Sequence, residues 1–462
     1  MPGSTRTSED FVKIEVGDGG EVGLPHGEAP VQGYRVFKRR WIGLVALFLL
    51  NVASGMNALW FAAISVDTSK QFLISLHQVT WLLNVVNLVY IPSSIAVPPI
   101  TRRYGIPSVI MAAGSWVRYG AYSHTLSSPH AYAIIFFGQF FSGFAQPWFQ
   151  ILGPKYSELW FDLQGRTTAT AIIAIANPIG SALGELISPL IKDVRHGLLV
   201  LAIITSALSL SGLFVLNEPP IPPTFAGSVR SPSPMEVFRA CVGKTRPGQL
   251  YMTRRQVIDF AIVTWLFGVY VAAANSLFTL VNEILAPHGY SSNASGNMGG
   301  AFIIAGIIGA LVTSPLFDRV LTHHLGITTK ILIPIIGVAW LSLIWDVRPH
   351  NYGGLYAVFV VMGVGSFILL PVALELGCEI TSSPEASSSI LWGVANGFSA
   401  IFVEVMDALR EGKDASPPGN MRRSLIFSGV FTLVSAVVVF GLEARQARRE
   451  LDVEKARHRA QN

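Results

Sequence analysis

Twelve apolar stretches follow one another along the chain, separated by polar segments. A run of about 20 apolar residues with few charges is long enough to cross a bilayer as an α-helix. The pattern therefore predicts an all-α membrane protein with 12 transmembrane helices. We place these spans near 41–66, 77–100, 105–124, 130–152, 167–191, 197–217, 256–286, 295–318, 328–347, 352–378, 385–409 and 423–443.

The polar segments divide the chain into parts. Between the sixth and seventh spans lies a long stretch rich in Pro, Ser and Arg, which is typical of a linker. The first 40 residues are polar and rich in Gly and charge, so we expect a disordered tail. The predicted order is an N-terminal tail, a six-helix bundle, a linker, a second six-helix bundle and a basic C-terminal tail, at 1–40, 41–217, 218–255, 256–443 and 444–462.

Composition supports the membrane assignment. Only 13% of the residues are charged, whereas soluble domains average about 25%. The two cysteines, Cys241 and Cys378, are far apart in sequence, so we expect neither a disulfide framework nor a metal or other cofactor. The net charge of +5 is spread between the apolar runs, which argues against nucleic acid. The expected partners are the lipid bilayer and a small-molecule substrate, and we expect a monomer.

Lys and Arg predict the orientation in the membrane. Most of them fall in the tails, the linker and the even-numbered loops if both termini are cytoplasmic, as the positive-inside rule requires. The basic loop 410–423 is the exception. A glycosylation sequon at Asn293 then lies in a predicted outside loop, although such tripeptides also arise by chance.

A loop is repeated in the two predicted bundles. PPITRRYG follows the second span and SPLFDRVLTHHLG follows the eighth, and each places Pro, a basic residue and Gly in that order. Two six-helix bundles with a matching loop are typical of the major facilitator architecture, in which the substrate binds between the bundles. Asp318 and Arg319 are therefore candidates for gating, with a helix-end role for Asp318 as the alternative.

Polar residues recur at helical spacing in the spans expected to line a cavity. Their alternative role is hydrogen bonding between helices. In the seventh span Asn275 and Asn282 are two turns apart on one face. The first span offers Asn57, Trp60, Ile64 and Asp67, and the fourth offers Gln139, Gly143, Gln146 and Gln150.

Acids within spans are candidates for proton coupling, because ionisable groups inside a bilayer are rare and usually functional. Glu185 follows Asn177-Pro178 by two turns in the fifth span. Glu375 shares a face with Pro371 in the tenth. We expect Arg118, in the third span, to be a structural partner.

Several longer stretches resemble one known family. They include RRWIGLVALFLLNVASGMNALWF, GQFFSGFAQ, RTTATAIIAIANPIGSALGELISP and LPVALELGCEITSSPEASSS. Together they resemble solute carrier family 49, the feline leukaemia virus subgroup C receptor-related transporters, and most closely its less characterised major-facilitator-domain-containing branch. The resemblance implies a twelve-helix facilitator in the plasma membrane.

The resemblance also implies which residues form the substrate site. Relatives are linked to choline, ethanolamine or haem, and the choline branch holds the ammonium group between a Trp and a Tyr. The Trp corresponds to Trp60, and the Tyr position holds Asn275. A Gln of that branch corresponds to Pro178, and Asn282 and Asn396 fall where relatives carry amides.

Three functions remain open. The first is a facilitator of a small organic solute, such as a choline-like amine or a haem-related compound, moved by alternating access. The second is a proton-coupled exporter that uses Glu185 or Glu375. The third is a non-transporting receptor that signals through 218–255 or the C-terminal tail. An enzyme is not expected, because the sequence offers no nucleophile–base constellation.

Overall fold

The computed structural model describes residues 35–443, except 105–107, 164, 216–217, 229–231, 245–249, 320–324 and 413. The basic C-terminal tail and almost all of the N-terminal tail lie outside this part of the chain. The same holds for the side chains of Asn293, Asp318 and Arg319, although their backbone belongs to a helix.

The described part of the chain is built from α-helices, with 3₁₀ turns and loops between them. In chain order they are α1 (Arg40–Leu59), α2 (Ser65–Phe72), α3 (Leu76–Tyr104), α4 (Ser108–Tyr119), α5 (Ser128–Trp160), α6 (Arg166–Ile187), α7 (Val194–Ser209), α8 (Phe225–Ser228), α9 (Pro234–Cys241), α10 (Arg254–Leu285), α11 (Ser292–Arg319), α12 (Leu325–Asp346), α13 (Tyr352–Thr381), α14 (Pro384–Ala408) and α15 (Arg422–Ala436).

Ten helices of the described part are long and apolar enough to cross a membrane. The two remaining predicted spans correspond to α4 and α5. Helix α4 has 12 residues and begins directly after the undescribed residues 105–107. Helix α5 has 33 residues, and its three glutamines lower its hydropathy. The all-α membrane fold is confirmed, whereas the count of twelve spans stays a prediction.

Helix pairs recur in the same order in the two parts of the chain, which we call the first half (α1–α7) and the second half (α10–α15). Helix α1 packs on α6 as α10 packs on α14, and α3 packs on α5 as α11 packs on α13. Two further pairs, α3 with α14 and α6 with α11, join the halves. Helices from both halves can therefore face one central space.

Glycines allow the closest of these helix contacts. A Cβ on Gly180 of α6 would overlap the carbonyl oxygen of Val52 on α1, and one on Gly55 would overlap that of Asn177. Small residues let helix backbones approach closely where lipid provides no hydrophobic drive for association. A side chain at either position would force α1 and α6 apart.

The first helix ends earlier than its sequence predicts. Helix α1 stops at Leu59, a turn covers residues 60–64, and α2 then begins at Ser65. The prediction that one continuous helix places Asn57, Trp60 and Asp67 on a single face is therefore wrong. Side chains from other helices bond to the carbonyls of the last turn of α1, as described below, and Asp67 is exposed on α2.

The two ends of the helix bundle differ. We call the end at which α1 begins the proximal end and the opposite one the distal end. At the proximal end the predicted linker contains α8 and α9, and α9 packs on α14. Ser383 Oγ donates to the carbonyl oxygen of Pro232 at 2.7 Å, which fastens the linker to the first turn of α14. Nearer the distal end, Asn84 Nδ2 donates to Glu404 Oε1 at 2.9 Å, across the two halves.

The predicted glycosylation site is not in a loop. Helix α11 begins at Ser292, so Asn293 lies in its first turn. Whether it is glycosylated stays a prediction.

Candidate functional site

A cavity of about 170 Å³ lies between the two halves. Four helices of the first half contribute to its wall, namely α1, α3, α5 and α6. Five helices of the second half complete it, from α10 to α14. A movement of the halves would thus reshape the whole cavity.

The wall combines amide and aromatic side chains. None of its described residues is Asp, Glu, Lys, Arg or His. The cavity therefore offers hydrogen bonds and aromatic surface to a ligand, but no countercharge. The amides are Asn87, Gln146, Gln150, Asn177, Asn275 and Asn396, and the aromatic residues are Phe267, Tyr270, Phe278, Phe302, Phe367 and Trp392.

Some of the cavity amides are held by neighbouring protein groups. Asn275 Nδ2 donates to Ser399 Oγ at 3.0 Å, which ties α10 to α14. Asn396 Nδ2 donates to the carbonyl oxygen of Trp392 at 2.8 Å, one turn earlier on α14. These bonds fix the amide planes, so the positions of their oxygen atoms are set before a ligand binds.

The aromatic residues form ordered pairs. Phe267 and Trp392 have ring centroids 5.0 Å apart at an interplanar angle of 87°, and Phe278 and Phe302 pack in the same edge-to-face way. Such pairs are favourable beyond the area that they bury. Tyr270 turns its hydroxyl into the protein, where it donates to the carbonyl oxygen of Ile333 at 3.0 Å. Its ring remains part of the cavity wall.

The structure places three predicted substrate residues, Gln146, Asn275 and Asn396, on the cavity wall. They come from α5, α10 and α14, and so from both halves. Gln150, on the same predicted face as Gln146, also lines the cavity.

The predicted cavity positions of Asn57 and Gln139 are wrong. Both side chains are fully buried around Arg118. Arg118 Nη1 donates to Gln139 Oε1 at 2.5 Å, and its Nη2 donates to Asn57 Oδ1 and, at 3.0 Å, to Ser115 Oγ. Gln139 lies on the same face of α5 as Gln146, but seven residues correspond to about 10.5 Å along a helix. It therefore lies beyond the cavity, and Arg118 is the structural partner that the sequence predicts.

The same cluster explains the end of α1. Gln139 Nε2 donates to the carbonyl oxygens of Asn57 at 3.1 Å and Ala58 at 3.3 Å, and Arg118 Nη1 also donates to that of Asn57. The last carbonyls of a helix lack partners within the helix, and a cation near this end is favourable. Ala58 and Leu59 line the cavity, so the cluster fixes part of its wall.

Trp60 and Asn282 lie outside the cavity wall. The indole of Trp60 is fully buried and faces α7, where a Cβ on Gly197 would lie 3.6 Å from Trp60 Nε1. The break after Leu59 turns Trp60 away from the position that a continuous helix predicts. Asn282 lies in the last turn of α10, and its carbonyl oxygen accepts from the backbone N–H of Ala286.

The predicted coupling residues occupy different places. Glu185 lies on α6 one turn after Ser181, which lines the cavity. Its Oε1 is buried and has no hydrogen-bond partner within the described part of the chain. Glu375 is buried on α13 next to Leu376, a cavity residue, but does not itself line the cavity. The side chains of Asp318 and Arg319 lie outside the described residues.

Sequence reasoning missed several cavity residues. Trp392 is the largest of them, and a signal for it exists: it lies one turn before Asn396, on the same face of α14. Asn87 and Asn177 have no such register with a second residue that the sequence predicts for the site.

Comparison with known proteins supports a transporter. Residues 44–403 match the model of the Major Facilitator Superfamily. The chain is 26% identical to solute carrier family 49 member A3 of Danio rerio, over 93% of this chain and 92% of the relative. It is 24% identical to the choline/ethanolamine transporter flvcr2a of Danio rerio, over 92% and 90%. The identity to the human choline/ethanolamine transporter FLVCR2 is 23%, over 92% and 81%.

The chain therefore belongs to the Major Facilitator Superfamily of membrane transporters. Within it, the chain is related to solute carrier family 49, which confirms the resemblance identified from the sequence. It is a multi-pass integral membrane protein.

Proposed function

We propose that this chain carries a small organic solute, uncharged or singly positive, through the cavity by alternating access of its two halves. The observation that supports this proposal is the composition of the wall: amides and aromatic rings from both halves, with no ionisable side chain other than Tyr270 among its described residues. An anion would lose its hydration there without gaining a cationic partner, which is costly. An ammonium group, in contrast, is attracted to aromatic faces.

Choline and ethanolamine are the first candidates, because two of the reported relatives are named choline/ethanolamine transporters. A haem-related solute fits the cavity less well. Its described wall contains no His, Cys or Met, the usual axial ligands of haem iron besides Tyr. The hydroxyl of Tyr270 already donates to a backbone carbonyl.

Uptake into proteoliposomes tests this proposal. We expect labelled choline or ethanolamine to enter vesicles that contain the purified protein with saturable kinetics. Vesicles without protein and vesicles with excess unlabelled solute are the controls. The proposed substrates would be contradicted if the protein elutes as a folded species and yet neither solute is taken up faster than by empty vesicles.

A second candidate function is proton coupling through Glu185. Glu185 is half-buried one turn beyond the cavity wall, and its Oε1 is buried without a hydrogen-bond partner in the described part of the chain. This position supports the proposal that its carboxyl group gains and loses a proton during the transport cycle. An imposed proton gradient should change the uptake rate of the wild type, and Glu185→Gln should remove that response. A wild-type rate that is equal with and without the gradient would exclude coupling.

We further propose that the proximal end faces the cytoplasm, so that both termini and the linker 218–255 are cytoplasmic, and that the membrane is the plasma membrane. The native cysteines provide the test, because Cys241 on α9 is partly exposed and Cys378 is buried in α13. A membrane-impermeant maleimide should label the chain only after the cells are permeabilised. Labelling of Cys241 in intact cells would indicate the opposite orientation, with the proximal end outside the cell.

A further inference from the structure

The linker between the two halves is anchored on the first half at the proximal end. Thr224 Oγ1 accepts from Arg166 Nη2 at 3.0 Å at the start of α6, and both side chains are buried. Gly227 of α8 lies close to the last turn of α5, because an added Cβ there would be 3.2 Å from the carbonyl oxygen of Glu158. The segment that contains α8 is thus fixed to two helices of the first half.

The linker has a second anchor on the second half. Pro232 is buried, and its carbonyl oxygen accepts the 2.7 Å hydrogen bond from Ser383 at the start of α14. Helix α9 follows and packs on α14, with the side chains of Val237 and Ala240 buried. On the opposite face of α9, Phe238 is 60% exposed. This anchor therefore rests on a hydrogen bond and one apolar face of a short helix.

A short piece of chain joins the two anchors. Ser228 ends α8, and Pro232 follows four residues later. An extended chain advances by about 3.3–3.6 Å per residue, so these two residues lie at most about 14 Å apart. If the halves separate at the proximal end, one anchor must detach once this length is reached. The first anchor includes a charge-assisted hydrogen bond, which is the stronger kind, so we expect the α9 anchor to detach.

The proximal end is closed in this structure. All residues of α13 from 374 to 381 and all residues from 383 to 389 at the start of α14 are buried. Nearly all residues of α5 from 145 to 160 are buried as well. At this end Ser389 Oγ donates to the carbonyl oxygen of Ser94 on α3 at 2.5 Å, across the two halves. The linker thus joins the halves at an end where their helices are packed together.

From these observations we infer that the linker is a strap that holds the proximal end of the cavity closed, and that α9 must leave α14 before the cavity opens on that side. The strap consists of the described segments 222–228 and 232–241. This inference rests on the proposed function, because alternating access requires the proximal end to open. It adds a control element that lies outside the cavity.

The accessibility of a reporter cysteine tests the strap without a transport assay. The reporter is Ala373→Cys on the cavity wall, in a full-length chain that also carries Cys241→Ser and Cys378→Ala. A membrane-impermeant thiol reagent is added to sealed membrane vesicles of either orientation, so that it reaches only the proximal or only the distal end. The rate of modification from each side then follows the fraction of molecules that are open on that side.

Two variants detach α9, and each has a matched control. Val237→Asp places a charge on the buried face of α9, whereas Phe238→Asp places it at the next position, on the exposed face. Ser383→Ala removes the hydrogen bond to Pro232, whereas Ser388→Ala removes a buried hydroxyl of α14 that has no partner in the described part.

We expect the rate from the proximal side to rise at least tenfold in Val237→Asp, because an unpaired charge is not tolerated against an apolar surface. In Ser383→Ala it should rise about fivefold, which is the factor that one hydrogen bond contributes. The rate from the distal side should not rise. Both controls should stay within about twofold of the parent chain on either side.

Several results would overturn the inference. Equal proximal rates in Val237→Asp and Phe238→Asp would show that the strap does not hold this end closed. An equal rise on both sides would show a general loosening of the protein. Ser383 also caps α14 by accepting from the N–H of Ala386, so a rise in Ser383→Ala alone would be an effect of the cap. If the folded wild type takes up neither solute, the proposed substrates fail, while the modification rates still decide on the strap.

Discussion

Replacement of Arg118 by methionine should destabilise the first half of the protein. The guanidinium is fully buried and donates to Gln139 Oε1, Asn57 Oδ1, Asn57 O and Ser115 Oγ. The absence of a Cβ at Gly138 leaves room for its stem, since a Cβ there would overlap Arg118 Cγ. Methionine keeps a flexible stem of similar length, so the change removes hydrogen bonds with little loss of packing.

The size of the effect follows from the groups that are left behind. Arg118→Met leaves Gln139 Oε1 without this donor in a buried place, at about 1–3 kcal/mol. Asn57 Oδ1 loses one hydrogen bond, worth about 1 kcal/mol, and keeps the bond from Ser115 Oγ at 2.8 Å. The loss is therefore about 2–4 kcal/mol, reduced by the desolvation cost of burying a cation, which the variant no longer bears. At about 2–4 °C per kcal/mol for 150–250 residues, the unfolding temperature should fall by about 4–15 °C.

Thermal unfolding of the purified protein in detergent measures this shift. Arg348→Met is the matched control, because Arg348 is exposed and the same change there should move the unfolding temperature by less than about 2 °C. Arg118→Lys keeps the charge but offers fewer hydrogen-bond donors, so its unfolding temperature should lie between those of the wild type and Arg118→Met. An Arg118→Met shift as small as that of the control would refute the account of the cluster.

Two further variants test contacts between helices. Gly180→Ala should lower the unfolding temperature, because the new Cβ overlaps the carbonyl oxygen of Val52. The control is Gly296→Ala, which should be neutral or slightly stabilising because its Cβ has nothing within 4 Å. Equal effects of the two variants would contradict the α1–α6 contact. Asn84→Ala removes the 2.9 Å hydrogen bond to Glu404. A thiol reagent added on the distal side should then modify a cysteine placed in the cavity faster than it does without Asn84→Ala. An unchanged rate would mean that this bond does not hold the two halves together.

The fold class was predictable because a bilayer imposes a length on each apolar run. The ten candidate spans coincide with predicted ones to within a few residues at most ends. The end of α1 was not predictable in this way. Its carbonyls are bonded by Arg118 and Gln139, which are 61 and 82 residues away from Asn57 in sequence. Hydrophobic patterns within one segment carry no information about such partners.

The site was only partly predictable for a related reason. Helical periodicity identifies the face of a residue but not its height in the membrane. Gln139 and Gln146 share a face of α5, yet the first bonds to Arg118 and only the second lines the cavity. The presence of a tryptophan did not identify the cavity position either. Trp60 was predicted to line the cavity but packs against α7, whereas Trp392, which had no predicted role, lines it.

Blocking the cavity tests the central claim most directly. Ala373 on α13 lines the cavity, whereas Val361 on the same helix is 45% exposed on its outer side. Uptake of labelled choline and ethanolamine is compared for the wild type, Ala373→Trp and Val361→Trp at equal amounts of folded protein in the vesicles. We predict that Ala373→Trp abolishes saturable uptake and that Val361→Trp retains it. Wild-type uptake by Ala373→Trp would show that the solute does not pass through this cavity.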